Sequence, residues 1–186
     1  MEAFKVAGEP DAVKDRYGDN NFGKSCLMAR RLVEVVVPFI EVNLGGWDNH
    51  QNIFPTLRDN KLPMLDKGMS ALIEDLEQRG LLEDTAIIWM GEFSRTPRIN
   101  QNAGRDHWPK VFSVVMAGGG IQKGTVYGSS NATASEPEEN ALTVEDWAAT
   151  IYNRIGIVAD KELMAPGRSE EHTSELQSPD LSYAVF

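Results

Sequence analysis

An aspartate and a histidine stand two positions apart in Gly45-Gly46-Trp47-Asp48-Asn49-His50, directly after the apolar run Val35 to Leu44. In extended backbone, side chains two apart project to the same side, so one ion could meet both Asp48 and His50. A carboxylate with an imidazole suits zinc, manganese or iron. Two further clusters carry chemistry. Glu92, Ser94 and Arg95 follow the apolar stretch Thr85 to Met90, and Arg105, Asp106 and His107 lie in a long polar loop before the next apolar run. The chain has three histidines, and two of them fall in these turns, each near an aspartate. Every feature also has a plainer reading. Asp48-x-His50 fits a solvated or capping pair, Asp106 beside His107 fits a salt-bridged loop, and Glu92 fits a structural pair with Arg95 or Arg105. The run Gly118 to Gly120 fits a phosphate cradle or simply a tight turn.

Elements must hold these clusters together. Residues 22 to 36 predict a helix with Leu27, Leu32 and Val33 inward and Lys24, Arg30 and Arg31 outward. Val37 to Leu44 reads as a strand buried on both faces. Residues 61 to 79 predict the clearest helix, with apolar residues at three-and-four spacing from Leu62 to Leu76 and Gly80 at its C-terminal cap. Strands are expected from Thr85 and from Val111, and a short edge strand from Gly124. The polar stretch 129 to 140 is a surface loop. Thr143 opens a capping box with Asp146, and a helix follows with Trp147, Ile151 and Ile155 on one face, ending near Gly156. Helices alternating with buried strands imply an α/β domain with a mainly parallel sheet. In such a sheet, ligands sit beyond the carboxyl ends of the strands, where the first two clusters fall.

Composition bounds the reading. The chain has 186 residues, 41% of them hydrophobic and 25% charged, which suits one globular domain. A net charge of -10 argues against a nucleic-acid partner, because a phosphate-binding face needs a basic surplus. No apolar run is long enough to span a bilayer, and the single cysteine, Cys26, cannot close an internal disulfide. From Arg168 the chain loses all periodicity. Its "RSEEHTSELQS" resembles the translation of a sequencing-adapter oligonucleotide, so residues 166–186 are expected to be a non-native or disordered tail. A native acidic tail is the alternative.

Taken together, "GGWDNH", "MGEFSRTP", "GRDHWP" and "AGGGIQKGTVYG" resemble the C-terminal half of the bacterial family known as domain of unknown function 1501. "FGKSCLMARRLVE" and "EDWAATIYNRIGI" fit the same family, and the similarity covers about residues 1 to 165. The family is placed with the alkaline phosphatases and sulfatases. That resemblance implies a three-layer α/β/α sandwich with metal ligands at strand ends, truncated here at its N-terminus. Asp48 and His50 match the aspartate and histidine that hold one metal in that superfamily, and His107 matches a later histidine that completes it. Where a second Asp-His pair is expected, this chain has Glu92 and Phe93. The resemblance therefore implies a ligand set of Asp48, His50, Glu92, Asp106 and His107 for a divalent ion such as zinc, manganese or calcium. Arg95 or Arg105 would stabilise charge on a leaving anion. It further implies hydrolysis of small anionic phosphate or sulfate esters, a nucleophile upstream of Met1, no turnover by this chain alone, and export to the periplasm by an upstream twin-arginine signal. A non-catalytic binding or scaffold protein on the same fold is the alternative, favoured by the Glu92-Phe93 departure.

Overall fold

The computed structural model describes residues 2–157. Three helices make the larger packed layer. Helix α1 (Asp11–Tyr17) follows Pro10, and α2 (Asn21–Glu34) opens on Asn20, whose side-chain oxygen accepts the Gly23 N–H at 2.9 Å. A short α3 (Ile53–Thr56) runs through a π turn (Leu57–Lys61) into α4 (Leu62–Gln78). Helix α4 ends as its sequence requires. Gly80 takes φ +70° and its N–H meets the Glu77 carbonyl, while the Leu81 N–H reaches the Leu76 carbonyl.

The apolar stripes of α2 and α4 bury against each other and against α1. Tyr17, Cys26, Leu27 and Ala71 form the centre, with Phe22, Val42 and Leu72 packed around it. Full burial of Leu27 alone contributes about 1.5–3 kcal/mol. Leu32 and Val33, expected inside, are only half-buried. Arg30, expected outside, is 2% exposed. It is tolerated there because three carboxylates surround it. Glu9 lies 2.8 Å from Nη2, Glu34 lies 2.9 Å from Nη1, and Asp75 lies 3.0 Å from Nε.

The strands depart from the expected sheet. Strand β1 (Ile87–Trp89) pairs with β4 (Val115–Ala117), β2 (Ser94–Arg95) with β3 (His107–Trp108), and β5 (Ser129–Ser130) with β6 (Pro137–Glu139). All three pairs are antiparallel. The domain is therefore mixed α/β, but the described residues hold no mainly parallel sheet. The reason lies in the connections. A parallel pair needs a crossover, usually a helix, and the chain between Trp89 and Val115 contains none. The run Val37 to Leu44 is a second correction. Ile40, Val42 and Leu44 are half-buried and alternate with exposed residues, yet the run gains no ladder partner among the described residues and forms no strand. Likewise no strand forms over 124–128, and the stretch read as a surface loop contains the β5–β6 hairpin.

At the end of β4 the glycine run turns the chain back. A Cβ on Gly118 would stand 2.2 Å from the Thr85 carbonyl oxygen, and the Gly119 N–H bonds to Leu82 at 2.9 Å. The run therefore has a backbone role, and its close neighbour is the chain itself. The capping box of α5 (Val144–Arg154) forms as expected, with Thr143 and Asp146 each accepting from the other's backbone N–H. Ile155 lies past the end of α5 and is 59% exposed, so the expected apolar face stops at Ile151. The tail expected from residue 166 lies outside the described residues.

Candidate metal centre

Two loops meet to build the site. One is the segment Gly45 to Asn52 before α3. The other is the connection Thr96 to Asp106 between β2 and β3. Backbone bonds join them. The Asn52 and Ile53 N–H groups reach the carbonyls of Asn102 and Ala103 at 3.1 and 2.9 Å, and the Arg105 N–H reaches Asn49 at 3.0 Å. The contact is close enough to demand glycine at 104, where a Cβ would lie 2.0 Å from the His50 carbonyl carbon. The β2–β3 register sets Arg95 opposite His107. That pairing turns a short hairpin into a frame holding a cation beside an imidazole.

On this frame the side chains converge. Asp48 Oδ1 lies 2.9 Å from His107 Nε2, 3.1 Å from His50 Nε2 and 3.4 Å from an Arg95 nitrogen. His50 turns its other nitrogen, Nδ1, to Asp106 Oδ1 at 2.7 Å. The rings of His50 and His107 are 5.0 Å apart, and Phe93 packs 4.8 Å from His107. The Arg95 guanidinium lies 5.1 Å over the same Phe93 ring. Asp48, His50 and His107 are all exposed to solvent.

Charge follows geometry. The His107 hydrogen bond, with help from His50 and Arg95, holds the Asp48 carboxyl below the usual carboxylate range. The hydrogen bonds from His50 and Asn100 do the same for Asp106. His50 is shifted upward, chiefly by its bond to Asp106. Glu92 is held low by its own backbone N–H and by Arg95.

The five residues expected as ligands thus gather in one place, but they divide by position. The ligand atoms of Asp48, His50 and His107 all lie within 4.8 Å of one another. Asp106 stands behind His50. Glu92 pairs with Arg95 at 3.3 Å. The two arginines also divide. One Arg95 nitrogen, Nη1, is buried without a hydrogen-bond partner, while another reaches the cluster. Arg105 instead donates through Nη1 to the carbonyls of Thr96 and Pro97, the latter at 2.7 Å, and so closes its own loop. Trp47 turns its indole N–H back to the Leu44 carbonyl. The cluster sits between an irregular loop and a hairpin rather than at the carboxyl edge of a parallel sheet.

One residue of this site escapes a reading of the sequence for acids, bases and ligands. Asn100 contacts both loops through four hydrogen bonds. Its only signal is the turn composition of Asn100-Gln101-Asn102-Ala103-Gly104.

The model of a protein family of unknown function, DUF1501, matches residues 1–179, so the chain belongs to that family. No curated protein and no solved structure matches it.

Proposed function

We propose that Asp48, His50 and His107 hold a divalent metal ion, and that the site serves the hydrolysis of small phosphate or sulfate esters. The observation carrying the reading is the distance set around Asp48 Oδ1. Ligand bonds of about 2.0–2.1 Å at tetrahedral angles leave ligand atoms roughly 3.3 Å apart. The two imidazole Nε2 atoms lie 3.1 and 2.9 Å from that oxygen. Two imidazoles and a carboxylate with one position open to solvent also match the donor set of catalytic zinc sites. A bound ion supplies Lewis-acid polarisation of an ester oxygen. The chain's own groups do the rest. Asp106 holds His50 so that Nε2 faces the cluster, as outer-shell carboxylates do for metal-bound histidines. Arg95 brings a positive charge to the rim, where an anionic substrate and its leaving group need one. Phe93 fixes that guanidinium from below.

The test is metal uptake by the purified chain, with aryl phosphates and sulfates as a second readout. Near-stoichiometric zinc or manganese that is lost in His50→Ala is the expected result. A chain that takes up neither ion sinks the reading. Metal-dependent turnover lost with the same substitution extends the site to an enzyme. Uptake without turnover on the panel is the expected second result for this chain alone and leaves the metal site standing.

A further inference from the structure

Asn100 spends its amide on protein partners rather than on the cluster, and it lies at the junction of the residues that build the site. Its Nδ2 donates to Asp106 Oδ1 at 3.2 Å and to the His50 carbonyl at 3.1 Å. Its Oδ1 accepts from the N–H groups of Asn102 and Gly104, both at 3.0 Å. Those partners fix which end of the amide is which, because two carbonyl-type oxygens demand the NH₂ and two N–H groups demand the oxygen. No other residue type of this size supplies two donors on one side and an acceptor on the other.

We infer that Asn100 is the positioning residue of the metal centre, acting through Asp106. The inference rests on the site proposed above. The chain of contacts runs Asn100 Nδ2 to Asp106 Oδ1 to His50 Nδ1, and ends at His50 Nε2 facing Asp48. Asp106 Oδ1 thus receives two donors, and removing one frees the carboxylate to rotate away from the imidazole. With Asp106 held, the proton of a neutral His50 stays on Nδ1 and the lone pair on Nε2 points at the ion. The second Asn100 donor grips the backbone of His50 itself. One amide therefore sets both the ring's anchor and the ring's partner. The Oδ1 bonds shape the loop that carries Asp106 and His107, so the two halves of the site share this one side chain.

The substitution Asn100→Asp separates these roles. It keeps an oxygen for the Asn102 and Gly104 N–H groups, and replaces the donors facing Asp106 and His50 with a second acceptor. Zinc affinity of the full chain, measured by competition with a chromophoric chelator, is expected to fall about 10- to 100-fold, the effect of losing an outer partner of a metal site. The loss should shrink when Asp106 is already Asn, because the two groups act in series. Equal zinc affinity in wild type and Asn100→Asp overturns the inference, as does an undiminished loss in the Asp106→Asn background, which would mean simple loosening of the loop. A second measurement needs no variant. In zinc-loaded protein the His50 ring should show a protonated Nδ1 and a metal-bound Nε2 by nitrogen-15 NMR, and the reverse assignment overturns the inference even if Asn100→Asp does not fold. If wild type takes up no zinc while remaining folded, the proposed metal site fails, and this inference with it. Zinc uptake with an unaffected Asn100→Asp variant removes the inference alone.

Discussion

The Nε2 atoms of His50 and His107 face the same oxygen, Asp48 Oδ1, at 3.1 and 2.9 Å. His50 reaches that oxygen from the same loop, two residues away, whereas His107 comes from a different element. The first is carried on the loop before α3 and the second on β3, and backbone and side-chain bonds between the two loops bring them together. Asp48 is therefore the centre of the site, and Glu92, tied to Arg95, lies at its edge. Asp48→Asn should weaken zinc binding by more than about 100-fold, beyond what outer partners contribute, while Glu92→Gln changes it less than about tenfold. Chelator competition on both variants checks this. Equal losses would place Glu92 among the ligands.

The loop contact itself is open to test at Gly104. Its missing Cβ leaves room for the His50 carbonyl carbon and oxygen, which a methyl group would approach to 2.0 and 2.1 Å. Both are backbone atoms and cannot swing aside, so the two loops would have to part. Gly104→Ala should destabilise the fold by about 1–3 kcal/mol, the range for overpacking, and should weaken metal uptake with it. Urea unfolding compared with wild type gives the number. An alanine variant as stable as wild type would show that the loops do not approach as described.

The elements differ in how far local sequence determines them. Helix α4 was legible because its spacing, its glycine cap and its length agree, and all three are local. The capping box at Thr143 was legible for the same reason. Val37 to Leu44 was not, because strand composition says nothing about whether a partner edge exists. Charge alone places Arg30 at the surface, whereas its burial depends on Glu9 and Asp75, remote in sequence. The gathering of Asp48, His50, Asp106 and His107 was implied by the family resemblance, although the strand expected to end at the first pair does not form. The inner and outer ranks of those residues were not, since they depend on ring orientation. Asn100 was invisible because an amide acts only through what surrounds it.

Cys26 offers a simple check on the helical layer. It is 2% exposed between α2 and α4, and burial pushes its thiol up to about 12. A buried thiol that is not ionised is a poor nucleophile. Native protein at pH 8 should resist iodoacetamide over a period in which urea-unfolded protein is fully labelled. Mass spectrometry reads the outcome, and rapid labelling of the native chain would contradict the packing of α2 on α4.

The buried Arg30 makes a prediction about acid. Burial raises the Glu9 carboxyl, but hydrogen bonds and charge from Arg30 and Arg31 outweigh it and leave the group low. Burial likewise opposes ionisation of Asp75, and Arg79, the Tyr17 hydroxyl and Arg30 outweigh it there. Both folded-state values lie below the ordinary ones near 4, so the ionised carboxylates stabilise the fold above that range. That stability is lost as pH falls through the lowered values. Arg30→Met removes the shared cation and leaves two carboxylates buried with less compensation, which costs about 3–5 kcal/mol at neutral pH. The penalty should shrink on acidification, because protonated carboxyls no longer need the cation. Urea midpoints of wild type and Arg30→Met, taken from pH 7 to pH 3, measure both effects. A gap between the two proteins that stays constant across that range would mean that Arg30 stabilises the core by packing alone.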